Sequence, residues 1–160
     1  MIEVSERIEV ASPPEVVWPL LSDPRAVVDC VPGAALGEQQ EDGSYNAILV
    51  VKFGPAKVTF HSKVTLEYDS AALGGRVSSR GKDNQGGTRV KSAMAFKIMA
   101  GAAPGTSVIS IDAQVEISGR LASLVESGAA LVTKRMTGEF TERLTAKLGG
   151  AAVVQAPVTK

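Results

Sequence analysis

One long stretch near the end of the chain, Gly119 to Leu148, constrains the fold most. Its apolar residues recur at the three- and four-residue spacing of an α-helix, at Leu121, Leu124, Val125, Leu131, Val132, Met136, Phe140, Leu144 and Leu148. The spacing predicts one helix of roughly 28 residues, which is about 42 Å long at 1.5 Å per residue. A helix with such an apolar side needs a broad surface to cover, and the rest of the chain has to supply it.

The middle of this predicted helix carries little bulk. Gly128, Ala129 and Ala130 lie there, and Gly128 falls on the same face as Leu121 and Val125. Because an interior glycine costs a helix about 1 kcal/mol relative to alanine, its presence suggests that another group approaches closely. The sequence therefore predicts either a tight contact or an open space at the centre of the helix.

The second half of the helix has a charged face. Arg135, Glu139 and Arg143 occupy the side that Leu121 and Val125 hold earlier, because the apolar residues step by four after residue 132. One interpretation is a surface ladder of i,i+4 ion pairs. The other places Arg135 at the mouth of an internal space.

Composition excludes several classes of protein. The 160 residues are enough for one domain with a core, and 17 basic against 17 acidic residues give no overall basic footprint for nucleic acid. The single cysteine, Cys30, excludes an internal disulfide and fits a reducing compartment. No apolar run reaches the ~20 residues of a membrane span, and no signal-peptide pattern begins the chain. We expect a soluble, cytoplasmic protein.

The first third of the chain predicts a strand and two short helices. Ile2 to Val10 alternates between apolar and polar residues, as a strand does. The segment Ser12 to Glu15 reads as a capping box that starts the first helix, and Pro19 should kink or shorten that helix. A second helix is expected over roughly Arg25 to Cys30, and the turn at Val31 to Gly33 ends it.

From residue 34 onward the hydrophobic period is two. The pattern predicts about six strands joined by short glycine and proline turns, which pair antiparallel. We therefore predict an α+β fold in which a curved antiparallel sheet of about seven strands wraps around the long C-terminal helix. Such a sheet touches the helix well only along its centre line, so space remains where side chains are small. The glycine-rich segment 81–87 is expected to be a mobile hairpin loop.

A set of short motifs occurs in this order along the chain: Val17-Trp18, Leu20-Leu21 with Asp23-Pro24, Cys30-Val31-Pro32-Gly33, Val51-Lys52-Phe53-Gly54-Pro55, Lys63-Val64-Thr65-Leu66, Gly81-Lys82 to Gly86-Gly87, Asp112-Ala113-Gln114-Val115 and Gly119-Arg120-Leu121-Ala122. In order and spacing they resemble the CoxG family of carbon monoxide dehydrogenase subunits, within the START-like (SRPBCC, helix-grip) superfamily. The resemblance covers residues 1–149 as one ligand-binding domain. It leaves residues 150–160 as a tail that we expect to be disordered or truncated. Pro19 and this short tail depart from the family pattern.

The resemblance implies a non-enzymatic carrier. The expected ligand is a hydrophobic isoprenoid quinone of the menaquinone type, held in an internal cavity without covalent attachment. The carrier would link the membrane quinone pool to a carbon monoxide dehydrogenase, in the cytoplasm and peripheral at the inner face of the cell membrane. Two alternatives stay open: a ligand-free docking or assembly module for the dehydrogenase, and an enzyme of the polyketide cyclase or dehydratase type.

The residues offer little catalytic chemistry. His61 falls on an outward strand face and Cys30 on another element, so they form neither a metal site nor a nucleophilic pair. The segment 81–87 lacks the ending of a phosphate-binding loop. No predicted inward face pairs two carboxylates for acid–base work. We predict no catalytic residue and no metal ligand.

The inward faces predict an apolar lining instead. The expected cavity residues are Trp18, Leu21, Leu49, Val51, Phe53, Phe60, Val64, Val77, Ser92, Met94, Phe96, Ile109, Ile111, Leu124, Val125, Gly128, Ala129, Val132, Arg135 and Met136. Arg135, Ser92 or Thr88 would donate to the quinone carbonyls, and the segment 81–87 with Val31 to Gly33 would form a gate. The alternative is that these side chains simply fill one another.

The outward faces of neighbouring strands carry a basic cluster: Arg76, Arg80, Lys82, Arg89, Lys91 and Lys97. It is either an ordinary solvated strand face or a surface for anionic lipid head groups or an acidic partner.

Overall fold

The structure is a computed structural model and describes residues 2–53, 55–85 and 87–148. Its elements, in chain order, are β1 (Ile2–Val10), α1 (Pro14–Leu21), α2 (Pro24–Cys30), β2 (Ala34–Gln39), β3 (Tyr45–Phe53), β4 (Ala56–Asp69), β5 (Gly74–Asp83), β6 (Thr88–Ala100), β7 (Ser107–Gly119) and α3 (Ala122–Lys147). The predicted tail, residues 150–160, lies outside the described residues.

The strands form one curved sheet of seven strands in the order β1-β7-β6-β5-β4-β3-β2. Every neighbouring pair is antiparallel, as the short turns predict. The helix-grip fold predicted from the sequence is therefore confirmed, including the two short helices after β1.

The long helix α3 has 26 residues and bridges the two sides of the sheet. It packs against α2 and against β1 and β7 on one side and β3 on the other. The helix thus passes over the central strands. No helix in the described part of the chain is both long and apolar enough to cross a membrane.

The start of α1 differs from the prediction. Pro13 is the N-cap residue and no side chain caps the helix, so the predicted capping box at Ser12 is wrong. The carbonyl of Ser12 instead accepts a hydrogen bond from Ser107 Oγ at 2.6 Å, which ties the segment to β7. Pro19 lies inside α1, which has only eight residues, in keeping with the shortening expected there.

The glycine-rich segment does not form a long free loop. β5 continues to Asp83, and hydrogen bonds fix the residues on both sides of the turn that follows. Asp83 Oδ1 accepts from the backbone N–H of Thr88 at 3.1 Å, and Thr88 Oγ1 accepts from the N–H of Leu121 at 2.9 Å. Arg120 adds a hydrogen bond from its backbone N–H to the carbonyl of Gly87 at 2.9 Å. The turn is thereby bonded to the start of α3, which does not favour a gate there.

We expect Thr88→Val to destabilise the protein by about 1–3 kcal/mol, because the Leu121 N–H loses its acceptor in a partly buried position. Valine has nearly the same shape, so little packing is lost. Urea unfolding measures the change. Thr65→Val on the exposed outer face of β4 is the matched control and should stay within about 0.5 kcal/mol of the parent. Equal stabilities of the two variants would contradict the role of this hydrogen bond.

Candidate functional site

The face of the sheet beneath α3 carries two separate cores. The first lies under α1 and α2 and consists of Ile8, Val10, Val17, Leu21, Cys30, Ile98, Ile109 and Leu144. The second lies under the first half of α3 and consists of Val51, Phe53, Val58, Phe60 and Val125. Each core is closed by apolar residues from both the sheet and the helix.

Between the two cores, the inner face is only half-buried. The apolar residues there belong to neither core and keep part of their surface accessible, namely Val64, Leu66, Val77, Met94, Val115 and Met136. In α3 itself, no residue from 126 to 143 is buried. Because these side chains lie between the two cores yet keep accessible surface, we infer that α3 does not fill the space above the central strands. We call this region, lined by the six residues, the central space.

A pair of hydroxyl groups lies on the floor of the central space. Ser79 on β5 is directly opposite Ser92 on β6, and their Oγ atoms are 2.5 Å apart. Both residues are half-buried. Within such a pair one hydroxyl proton is used between the partners and the other remains able to donate. The lining therefore offers one hydroxyl donor among apolar neighbours.

Sequence reasoning overlooked two carboxylates that point inward. Glu6 shares the inner face of β1 with Ile8, because strand residues two apart lie on one face, and it is half-buried. The alternation of inward and outward residues along β1 could have predicted that Glu6 points inward. Asp83 lies on the inner face of β5 and is 4% exposed, but its carboxylate is engaged with Thr88.

An aromatic cluster of Trp18, Tyr68 and Phe96 lies beside the first core. The Trp18 ring meets Tyr68 edge to face, with ring centroids 6.0 Å apart, and Phe96 with centroids 6.3 Å apart. Burial is the main cause that raises the pKa of the Tyr68 phenol, and the nearby Tyr45 and Asp23 add to it. The phenol therefore stays protonated at neutral pH.

Gly128 has a tight contact rather than open space. A Cβ placed there would lie 3.1 Å from Cδ1 of Phe53, so the Phe53 ring fills the gap that the glycine leaves. The close approach expected from the sequence is present, and the approaching group is the protein's own side chain.

Arg135 lies at the edge of α3 and not inside the molecule. It is exposed, and its Nη2 donates to the backbone carbonyl of Lys52 at 3.0 Å. Arg143 similarly donates to the carbonyl of Asp29, at 3.5 Å. These arginines connect α3 to β3 and α2, so the alternative of an ion-pair ladder along the helix does not describe them.

Thr88 is poorly placed to donate to a head group, because it is fully buried and lies against the N–H of Leu121, from which its hydroxyl accepts. The segment Val31 to Gly33, predicted as part of a gate, is hydrogen-bonded to β3: the N–H of Val50 donates to the Gly33 carbonyl at 2.9 Å.

Cys30 and His61 lie in different surroundings, as the sequence predicted. Cys30 is buried in the first core, and burial, the largest cause, raises the pKa of its thiol. His61 is exposed on the outer face of β4. A neutral, buried thiol is a poor nucleophile.

The twenty residues expected to line a cavity divide into groups. Five belong to or pack on the first core: Trp18, Leu21, Phe96, Ile109 and Ile111. Seven belong to or pack on the second: Leu49, Val51, Phe53, Phe60, Leu124, Val125 and Val132. Val64, Val77, Ser92, Met94 and Met136 lie around the central space. Gly128 faces Phe53, Ala129 is half-buried and Arg135 is exposed. Ligand contact by any of them stays a prediction.

Comparison with known proteins gives the family. The model of the carbon monoxide dehydrogenase subunit family CoxG matches residues 7–149. The chain belongs to this family. No curated protein sequence matches it.

Solved structures share the fold of this CoxG family member. A conserved protein from Geobacillus kaustophilus is 17% identical, with 92% of this chain and 95% of that chain covered and a TM-score of 0.78. A START superfamily protein from Mycobacterium smegmatis is 18% identical (92% and 97% covered, TM-score 0.56). The Zhui aromatase/cyclase from Streptomyces sp. R1128 is 16% identical (92% and 93% covered, TM-score 0.59). At these identities the likeness shows the fold alone.

Proposed function

We propose that this protein is a non-enzymatic carrier that holds an isoprenoid quinone of the menaquinone type in the central space. The division of the core supports this most. Two closed cores would hold the fold together, while the half-buried apolar residues between them, such as Val77, Met94 and Met136, stay available to a guest. Burying apolar surface contributes about 25 cal/mol per Å², so a lining of this kind favours a long hydrocarbon ligand.

The family membership supplies the proposed setting. A carbon monoxide dehydrogenase in water has to pass electrons to an acceptor that is dissolved in the bilayer. A quinone tail exposes too much apolar surface to cross water unaided. A protein that covers the tail would connect the two, and we propose that it works in the cytoplasm, peripheral at the inner face of the membrane and in contact with the dehydrogenase.

The serine pair supports a place for the head group. Quinone carbonyls accept hydrogen bonds, and the Ser79–Ser92 pair has one proton left to donate. Ser92 therefore keeps the role that the sequence suggested for it, now shared with Ser79. Arg135 and Thr88 fit this role less well, because Arg135 is exposed and donates to the Lys52 carbonyl, and Thr88 is fully buried.

An enzyme of the cyclase type is the second candidate, and Glu6 is the observation that favours it. A half-buried carboxylate on the inner face could act as a general base. The other inward carboxylate noted above, Asp83, accepts a hydrogen bond from the Thr88 N–H and is buried, so Glu6 would have to act alone. The carrier accounts for the apolar lining better.

Native mass spectrometry of protein purified from a menaquinone-containing host tests the carrier. We expect an adduct whose mass matches an isoprenoid quinone and which disappears after organic extraction. Protein from a host that cannot make menaquinone should take it up from vesicles that contain it. Clean extracts from several preparations, together with no uptake from vesicles, would overturn the proposal and leave the ligand-free docking module.

A further inference from the structure

The outer face of the sheet, on the side away from α3, carries two rows of basic residues. Each row crosses β4, β5 and β6 at directly opposed positions, and all six residues are exposed. The first row is Lys63, Arg80 and Lys91, and the second is His61, Lys82 and Arg89. We call them the basic rows. The whole chain has 17 basic and 17 acidic residues, so the rows arise from placement and not from composition.

Such placement is unfavourable for the sheet by itself. Like charges directly opposite on neighbouring strands destabilise the pairing. Arg80 faces Lys63 on one side and Lys91 on the other, and Lys82 faces Arg89. Lys63 has a partner outside the row, Asp42, at 2.6 Å, and Lys91 lies directly opposite Glu116 on β7. Arg80, Lys82 and Arg89 have no acidic residue opposite them on either neighbouring strand. Exposed cations clustered in this way attract an anionic partner.

A cleft of about 660 Å³ adjoins the basic rows on this face. It forms because β2 and β3 contribute short side chains such as Ala35 and Asn46 next to the long side chains of Arg80 and Lys82. Ile48 lies in the cleft and is 40% exposed. The surface therefore combines an apolar depression with a basic rim on one side.

We propose that the basic rows and this cleft form a docking surface for a protein partner that presents acidic residues beside an apolar side chain. An apolar anchor in a cleft with complementary charges around it is the usual anatomy of a specific protein interface. Lipid head groups would neutralise the rows but would leave the Ile48 cleft uncovered.

The position of the surface also favours a protein over a bilayer. The basic rows lie on the opposite side of the sheet from α3 and the central space. A carrier attached to a membrane through them would turn its ligand away from the lipid, whereas one attached to a protein leaves the ligand side free. This preference for a protein over a bilayer rests on the proposed function, whereas the charges and the cleft are independent of it.

The test uses defined probes. A fluorescent peptide of glutamates around one tryptophan is compared with the same peptide carrying glutamines, and with vesicles of phosphatidylglycerol and of phosphatidylcholine. We expect the protein to bind the acidic peptide, less tightly as salt is raised, and to bind the glutamine peptide at least about tenfold more weakly.

Arg80→Glu should weaken binding of the acidic peptide by about tenfold or more. The substituted residue would face Lys63 and Lys91, so the thermal midpoint should hold or rise, which separates lost binding from unfolding. Lys134→Glu, an equal charge change on the exposed side of α3, is the matched control and should bind as the parent does.

Two outcomes would overturn the docking proposal. One is retention on phosphatidylglycerol vesicles that Arg80→Glu abolishes, with no preference between the two peptides. The other is no binding to any probe. The quinone content of the same samples is measured in parallel, and it should be equal in parent and Arg80→Glu, so failure here is distinguishable from failure of the carrier proposal.

Discussion

Val64→Trp should weaken ligand binding about tenfold while the fold stays intact. Val64 is half-buried on the inner face of β4, opposite Tyr45 and Ser79, and belongs to neither core. An indole ring at this position projects into the central space. If it displaces about 60 Å² of a ligand's apolar surface, about 1.5 kcal/mol of burial is lost, which is about tenfold in affinity.

The matched control is Thr65→Trp, one residue further along β4 and on the exposed outer face. It places the same ring on the other side of the sheet and should keep the parent's ligand content. Quinone per protein after extraction and the free energy of unfolding are measured for both variants. If the interior is packed solid, Val64→Trp will instead lose about 1–3 kcal/mol of stability through overpacking, and the central space would be refuted. Full ligand content in a folded Val64→Trp would place the ligand elsewhere.

The fold could be predicted well because its signals are periodic. The alternation in the strands and the three-to-four spacing in α3 each assign a residue to a face, and those faces have only one consistent way to meet. Short glycine and proline turns then give antiparallel neighbours, which is the order found in the sheet.

How deeply each inward-facing side chain is buried could not be predicted in the same way. Ile109 and Val77 both point inward, yet Ile109 is 1% exposed and Val77 is half-buried. The difference comes from sheet curvature and from where α3 touches it, and neither has a local sequence signal. For the same reason, strand alternation alone predicted that Thr88 and Ser92 were equivalent inward hydroxyls. In the structure Thr88 accepts a hydrogen bond from Leu121, whereas Ser92 lies beside the central space.

Gly128→Leu should destabilise the fold, by contrast with the same change at Gly138. Both glycines lie inside α3, so both substitutions gain helix propensity of up to about 1 kcal/mol. A Cβ at Gly128 lies 3.1 Å from the Phe53 ring, whereas a Cβ at Gly138 has nothing within 4 Å. Overpacking costs about 1–3 kcal/mol. We therefore expect Gly138→Leu to be neutral or stabilising and Gly128→Leu to be less stable than it by about 1–3 kcal/mol.

Removing the obstructing ring separates this contact from any ligand effect. Phe53 is 7% exposed in the second core, so Phe53→Leu itself lowers stability. In that background, however, Gly128→Leu should cost much less, because residues in contact couple by about 0.5–3 kcal/mol in double-mutant cycles. Urea unfolding of the four proteins in apo form gives the coupling directly. Additive effects would mean that Phe53 is not what Gly128 accommodates, and the middle of α3 would then border the central space, as its small residues first suggested.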